Sequence, residues 1–233
     1  MAKGLFIVME GIDGSGKSTQ AKILVSRLEE YVANSRLNKE IVHTAEPGGT
    51  ALGASIKSIT HHGRTTPEAE FFLQMAARTE HMQKVIRPAL ERGDIVVCDR
   101  FSRSTQAYQG VGKGIDQKLL QFCDSYVRCG ISPDLEFIFV INPEEAYRRS
   151  VGRDANPSHY ERVPDTMARV ARYYNTCAKQ PNPGVIALDA TKDAFRLSEE
   201  VWNAFLALEI GRQSVNKEQK EHRSAFPEWN LSK

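Results

Sequence analysis

Gly11-Ile12-Asp13-Gly14-Ser15-Gly16-Lys17-Ser18-Thr19 puts glycine, lysine and hydroxyl at every fixed position of G-x-x-x-x-G-K-[ST]. Residues of these types in this order hold a polyphosphate. Glycines let successive backbone N–H groups turn onto one anion, because no Cβ forbids the conformation. A helix beginning near Lys17 adds its unpaired N–H groups and the positive end of its dipole. Lys17 then reaches the β- and γ-phosphates, and the Ser18 hydroxyl ligates Mg²⁺. A bare glycine turn is the plain alternative.

Other stretches carry chemistry of the same kind. Asp99-Arg100 follows the apolar run Ile95-Val96-Val97-Cys98. An acid at such a strand tip holds Mg²⁺ through water, unless it only caps a turn. The neighbouring Arg100 suits a second phosphate, which a planar guanidinium grips in two places. Ser104-Thr105-Gln106-Ala107-Tyr108-Gln109-Gly110 offers hydroxyls, amides and an aromatic, as a nucleoside site or a plain loop would. Glu46-Pro47-Gly48-Gly49-Thr50 is a dense turn signal after a strand, either structural or placed where α/β sheets bind ligands. Arg148, Arg149 and Arg153 lead into a loose stretch through Asn156, Pro157 and Ser158. They form a solvated face or, beside a phosphate loop, a lid closing cations onto a transferring group.

These residues need a scaffold. Leu5-Phe6-Ile7-Val8-Met9 is an unbroken apolar run, suited to a strand buried on both faces. Ala21, Leu24, Val25 and Leu28 mark the helix after the loop. Ile41 to Thr44, Ile95 to Cys98, Phe137 to Ile141 and Val185 to Leu188 read as four further strands, the last ending at Asp189-Ala190. Thr66-Pro67-Glu68 opens a helix running to about Leu90, with Pro88 bending its last turn and Gly93 stopping it. Its pattern turns Ala69, Phe72, Leu73 and Ala76 inward, with Arg78 elsewhere on the surface. Ser102 to Gly114 reads as a polar loop. A helix from near Asp116 carries Leu119, Leu120, Cys123 and Val127 on one side. Asn142-Pro143-Glu144-Glu145 opens another helix with cap, proline and acid in order. Two more helical faces follow: Met167, Val170, Ala171 and Tyr174, then Leu197, Val201, Ala204, Phe205 and Leu208. The fold expected is α/β, a five-stranded parallel sheet with helices on both faces and right-handed crossovers. Residues 211–233 are polar and form a tail that is either unstructured or packs late.

Composition narrows the classes. The chain has 233 residues, 41% hydrophobic and 26% charged, as one ordinary α/β domain or two small ones would. Its 31 basic and 29 acidic residues leave a net charge of +2, which makes no electrostatic case for nucleic acid or membrane. Cys98, Cys123, Cys129 and Cys177 show neither C-x-x-C nor zinc spacing, so free thiols in a reducing compartment are expected. Met1-Ala2-Lys3 leads directly into the first strand, and no apolar stretch reaches the ~20 residues of a membrane span. A cytoplasmic location is expected.

The motifs also carry a resemblance. Glu10 to Gln20, Glu46 to Thr50, Ala76-Ala77-Arg78, Asp99-Arg100-Phe101 with Ser104 to Gly110, and Leu188-Asp189-Ala190 occur in the order of the thymidylate kinase family, which the chain resembles over about residues 4–209. The resemblance implies a P-loop NTP hydrolase-like nucleoside monophosphate kinase domain over residues 1–210, with a mobile lid at about 148–160. It implies phosphoryl transfer from ATP to dTMP, giving dTDP, with Mg²⁺ and a homodimer. Gly11 to Thr19 and Ala190 would bind ATP. Asp13 would meet the sugar 3′-hydroxyl and the acceptor phosphate region, which Arg100 would hold. Arg78 and Thr105 would contact the thymine edge, and Tyr108 would press against the sugar 2′ position. Glu46, Pro47, Gln74, Ser104 and Gln109 would line the same pocket. Ser18 and Asp99 would serve Mg²⁺. The family places its transfer-stabilising arginine in the phosphate loop or in the lid. Here the loop has Gly14, so the duty falls to Arg153 first and Arg149 second, beside Lys17, Asp13 and Arg100. Tyr160-Glu161-Arg162 resembles the segment after the lid, where the glutamate approaches the acceptor sugar.

Two positions depart from the family's pattern. Gln74 stands where an aromatic commonly stacks on thymine, and Ala45 where arginine often precedes Glu46. Gln74 leaves another deoxynucleotide or a modified pyrimidine open as acceptor. A GTP-dependent switch is the rival from another class, although the chain has no Asn-Lys-x-Asp guanine motif.

Overall fold

The structure, a computed structural model, describes residues 4–61, 63–151, 163–180 and 182–225. Five strands form one parallel sheet in the order β2-β3-β1-β4-β5. They are β1 (Leu5–Gly11), β2 (Ile41–Ala45), β3 (Ile95–Asp99), β4 (Leu135–Val140) and β5 (Val185–Asp189). β1 is buried along its whole length. Leu5, Ile7 and Met9 join one core and Phe6 and Val8 the other, so the central strand needs apolar residues at consecutive positions.

Register brings the motifs together. Met9 and Ala45 both pair with Asp99, and Gly11 pairs with Phe139. The segments after β1, β2 and β3 therefore leave the sheet side by side at its carboxyl edge. The strand order reverses at β1, the kind of place where open α/β sheets bind ligands.

The helices are α1 (Lys17–Asn34), α2 (Ala51–Thr60), α3 (Pro67–His81), α4 (Arg87–Arg92), α5 (Ser102–Thr105), α6 (Gln117–Arg128), α7 (Pro143–Val151), α8 (Pro164–Lys179) and α9 (Ala194–Ala225). Thr66 caps α3 by accepting the Ala69 N–H at 3.3 Å. A wide turn over Met82–Ile86 precedes Pro88 in the first turn of α4, and Gly93 (φ 94°) ends that helix. α9 continues through Gly211 to Ala225.

One helix goes unannounced in the sequence, and three expectations need correction. α2 carries only Gly53, Ile56 and Thr60 inward, too sparse an apolar stripe to announce itself. The buried face of α3 is Phe71, Met75 and Arg78 with Glu70 and His81, while Phe72 is 53% exposed. Charged residues occupy the inner face there because their partners are buried opposite. The expected loop from Ser102 is helical, as α5 and a wide helical turn over Gln106–Gly112. On α6, Leu120 faces inward but Leu119 is exposed beside Phe122 and Tyr126.

Candidate active site

The glycine loop has the conformation its sequence calls for. Gly14 (φ 81°) and Gly16 (φ 89°) lie in the left-handed region. A Cβ on Gly14 would fall 1.9 Å from the Ala146 carbonyl oxygen on α7, so no side chain fits at this position. Lys17 is buried at the start of α1 and donates to the Ile12 carbonyl at 3.3 Å and to Asp13 Oδ1 at 3.4 Å. Burial holds its ammonium below the ordinary range, Arg100 adds to this, and Asp13 and Asp99 oppose it. Ser18 Oγ donates to Asp99 Oδ2, while Asp99 Oδ1 is buried with no partner among the described residues. A hydroxyl against a carboxylate with an orphaned oxygen suits a divalent cation. These two residues fit Mg²⁺.

Arg100 joins the loop to the rest of the site. It sits at φ 72°, a conformation costing a non-glycine residue roughly 1–3 kcal/mol. Its guanidinium donates to the Gly11 carbonyl at 3.1 Å, Asp13 Oδ1 at 2.6 Å, Ser104 Oγ at 3.0 Å and Tyr108 Oη at 3.3 Å. It also stacks 5.0 Å from the Tyr108 ring centre. Burial pushes the Asp13 carboxyl up, but Arg100 and Lys17 more than reverse this, leaving it well below the usual range and ionised.

Arg78, buried on α3, is held by carboxylates from two other segments. It donates to Glu46 Oε2 at 2.7 Å, Asp124 Oδ1 at 2.9 Å and Thr105 Oγ1 at 2.9 Å. Burial pushes the Glu46 carboxyl up, and Arg78 with His81 brings it below its ordinary value. His81 lies fully buried, with Nδ1 3.2 Å from Glu46 and Nε2 2.6 Å from Thr44 Oγ1. Removing one partner from such a cluster leaves a buried charge uncompensated.

A cleft is lined by Asp13, Glu46, Pro47, Gln74, Arg78, Arg100, Ser104, Thr105, Tyr108 and Gln109, every described residue expected to bind the acceptor. Lys57 and Thr60 of α2, His61 just after it and Glu70 of α3 line it too; sequence reasoning missed all four as site residues, and for the first three it missed α2 as well. It also missed Asp124, His81 and Glu10. Glu10 carried a signal, as a lone acid in an apolar strand. Ala190 lies after β5, bonded to β4 through the Val140 carbonyl at 2.9 Å. Arg149 is outside this cleft, donating to the Ala190 carbonyl at 2.7 Å and to Glu145 at 3.0 Å. Arg153, Tyr160, Glu161 and most of the expected lid lie outside the described residues.

A family model described as Thymidylate kinase matches residues 9–201. The chain belongs to the thymidylate kinase family. Thymidylate kinase of Paraburkholderia xenovorans is 44% identical over 162 residues, covering 69% of this chain and 77% of that one. Its counterpart from an Exiguobacterium species is 38% identical over 201 residues, covering 85% and 92%. A crystal structure of thymidylate kinase from Ehrlichia chaffeensis superimposes with a TM-score of 0.69 at 31% identity, covering 88% of this chain and 99% of that one. The expected fold and phosphotransferase class stand, and a GTP-dependent switch is set aside.

Proposed function

We propose that the chain transfers the γ-phosphoryl group of ATP to the 5′-phosphate of dTMP, with donor and acceptor meeting beneath Arg100. An acceptor oxygen bonds to the γ-phosphorus as the bond to the β-γ bridging oxygen breaks, releasing ADP and dTDP. No general base is needed, because a phosphate monoester is already ionised near neutral pH (second pKa about 6). The protein aligns two anions that repel each other and spreads the charge that builds up. Gly11 to Thr19 and Lys17 hold the donor phosphates. Arg100, fixed by Asp13, holds the acceptor phosphate. Arg78 and Thr105 face the base and Tyr108 the sugar, and the transfer-stabilising charge is assigned to Arg153. Ser18 and Asp99 would hold Mg²⁺, which when bound neutralises charge on the donor phosphates.

One observation carries this reading: the Arg100 guanidinium lines the acceptor cleft while bonded to Gly11 and Asp13 of the donor cradle. Gln74 lines the same cleft and offers the base an amide rather than a ring face. That residue keeps a second reading in play, a preference for another deoxynucleoside monophosphate. ADP release with ATP and dTMP, dUMP, dCMP or dGMP decides between them: dTMP is expected to be turned over fastest, and a faster rival would replace it as substrate. Exposed Phe72, Leu119, Phe122 and Tyr126 on α3 and α6 support a homodimer, since large apolar side chains on neighbouring helices favour a covering partner. All four cysteines are free, which supports a cytoplasmic setting.

A further inference from the structure

We propose that Glu10 is a positioning residue for the acceptor phosphate, aiming Arg100 through Ser104. The inference rests on Arg100 being the acceptor-phosphate ligand. Glu10 is the last residue before the glycine cradle and is fully buried. It does not line the nucleotide cleft, so it acts through other residues.

Its carboxylate accepts four hydrogen bonds. Oε1 takes the Phe101 N–H at 2.8 Å and the Ser104 N–H at 3.1 Å. Oε2 takes the Ser104 hydroxyl at 2.7 Å and the Tyr174 hydroxyl at 2.8 Å. Ser104 has a single hydroxyl proton. Spending it on Glu10 leaves the oxygen's lone pairs to receive Arg100 Nη1 at 3.0 Å. The chain of donors therefore runs one way, from Arg100 to Ser104 to Glu10. Burial pushes the Glu10 carboxyl up, and the Ser104 bond, the Arg100 charge and the remaining donors pull against that. The same carboxylate ties the start of α5 to β1, and Tyr174 extends the tie to α8, the helix that follows the lid segment.

Glutamine at this position cannot reproduce the pattern. A carboxamide has one oxygen for two donors and turns two N–H groups toward the other pair. If its oxygen keeps the backbone N–H groups, the Ser104 and Tyr174 hydroxyls, 3.1 Å apart, have only each other as acceptors among the described residues. One hydroxyl is then orphaned, and the seat under Arg100 loses its fixed direction.

Steady-state kinetics of Glu10→Gln, Ser104→Ala and the double variant test this. Each single variant is expected to lower kcat/KM for dTMP by about 10²-fold, as a small misplacement of a phosphate ligand does. The KM for ATP should stay within about twofold of wild type on the same reasoning, because the donor cradle is untouched. The double variant should lose no more than the worse single. Wild-type dTMP kinetics in folded Glu10→Gln, equal losses for ATP and dTMP, or additive losses in the double variant would each overturn the proposal. If Glu10→Gln does not fold, Ser104→Ala decides, since it breaks the same link without disturbing a buried charge; a wild-type KM for dTMP there sinks the idea. Arg100→Ala measured alongside separates the two readings. Full dTMP turnover in Arg100→Ala defeats the acceptor-site reading itself, whereas loss there with intact Glu10→Gln and Ser104→Ala defeats only this inference.

Discussion

The phosphate cradle is written in consecutive residues, Gly11 to Thr19, whereas the cleft proposed for the acceptor draws side chains from the segments just after β1, β2 and β3, from α2 and α3, and from the helical segment between Ser102 and Gln109. The cradle works through backbone N–H groups freed by glycine conformations at Gly14 and Gly16. The cleft works through guanidinium–carboxylate pairs that close over large sequence separations, such as Arg78 with Glu46 and Asp124 or Arg100 with Asp13. A phosphate chain presents similar oxygens in every nucleotide, so backbone suffices to hold it. A particular nucleoside monophosphate has edges and corners, and only oriented side chains can distinguish them. Orienting charged side chains out of water requires buried counter-charges.

This contrast predicts different failures on the two sides. Lys17→Ala should cut turnover by about 10³-fold, the scale of losing a preorganised charge at the transferring group. Circular dichroism should still report a folded protein, because the variant deletes a buried ammonium and no core packing. Gly14→Ala should also abolish ATP binding, since its Cβ has no room against the Ala146 carbonyl, and equilibrium titration with ATP measures that. On the acceptor side stability should suffer first. Arg78→Leu takes the shared guanidinium from two buried carboxylates, leaving Glu46 to His81 and Asp124 to Arg128, and should cost about 3 kcal/mol in denaturant unfolding, the low end for breaking a buried pair. Arg78 also holds Glu46 below its ordinary value, so that carboxylate's contribution to stability is present at neutral pH and fades as pH falls below 4.5. The variant should lose that acid dependence.

The smallest effect concerns Glu136, which anchors Arg103 of α5 at 2.7 Å. Burial and the nearby Glu10 push its carboxyl up to about 7, against the pull of Arg103. A raised folded value means stability is greatest below the ordinary 4.5 and declines as pH rises toward 7. Glu136→Gln should flatten thermal stability across that window, and an unchanged slope would show that Glu136 does not titrate there.

The same division explains what the sequence disclosed. The cradle and the strands were legible because their determinants are local: glycines at fixed spacing, and apolar runs buried on both faces. Arg100, Arg78 and Tyr108 were placed by motif order and resemblance, and the cleft does collect them. Their supports were not legible. α5 looks like a loop in sequence because its helical start is held by Glu10, Asp124 and Glu136, which lie on β1, α6 and β4. The face of α3 was misjudged for a similar reason, since Arg78, Glu70 and His81 read as solvent-facing until their partners are known.

The central claim is that Arg100 joins two anion sites. Steady-state ADP release by Arg100→Ala, with dTMP varied at saturating ATP, tests it most directly. The account predicts a loss of at least about 10²-fold in kcat/KM for dTMP, with ATP affinity retained. Wild-type kinetics for dTMP in a folded Arg100→Ala protein would contradict it.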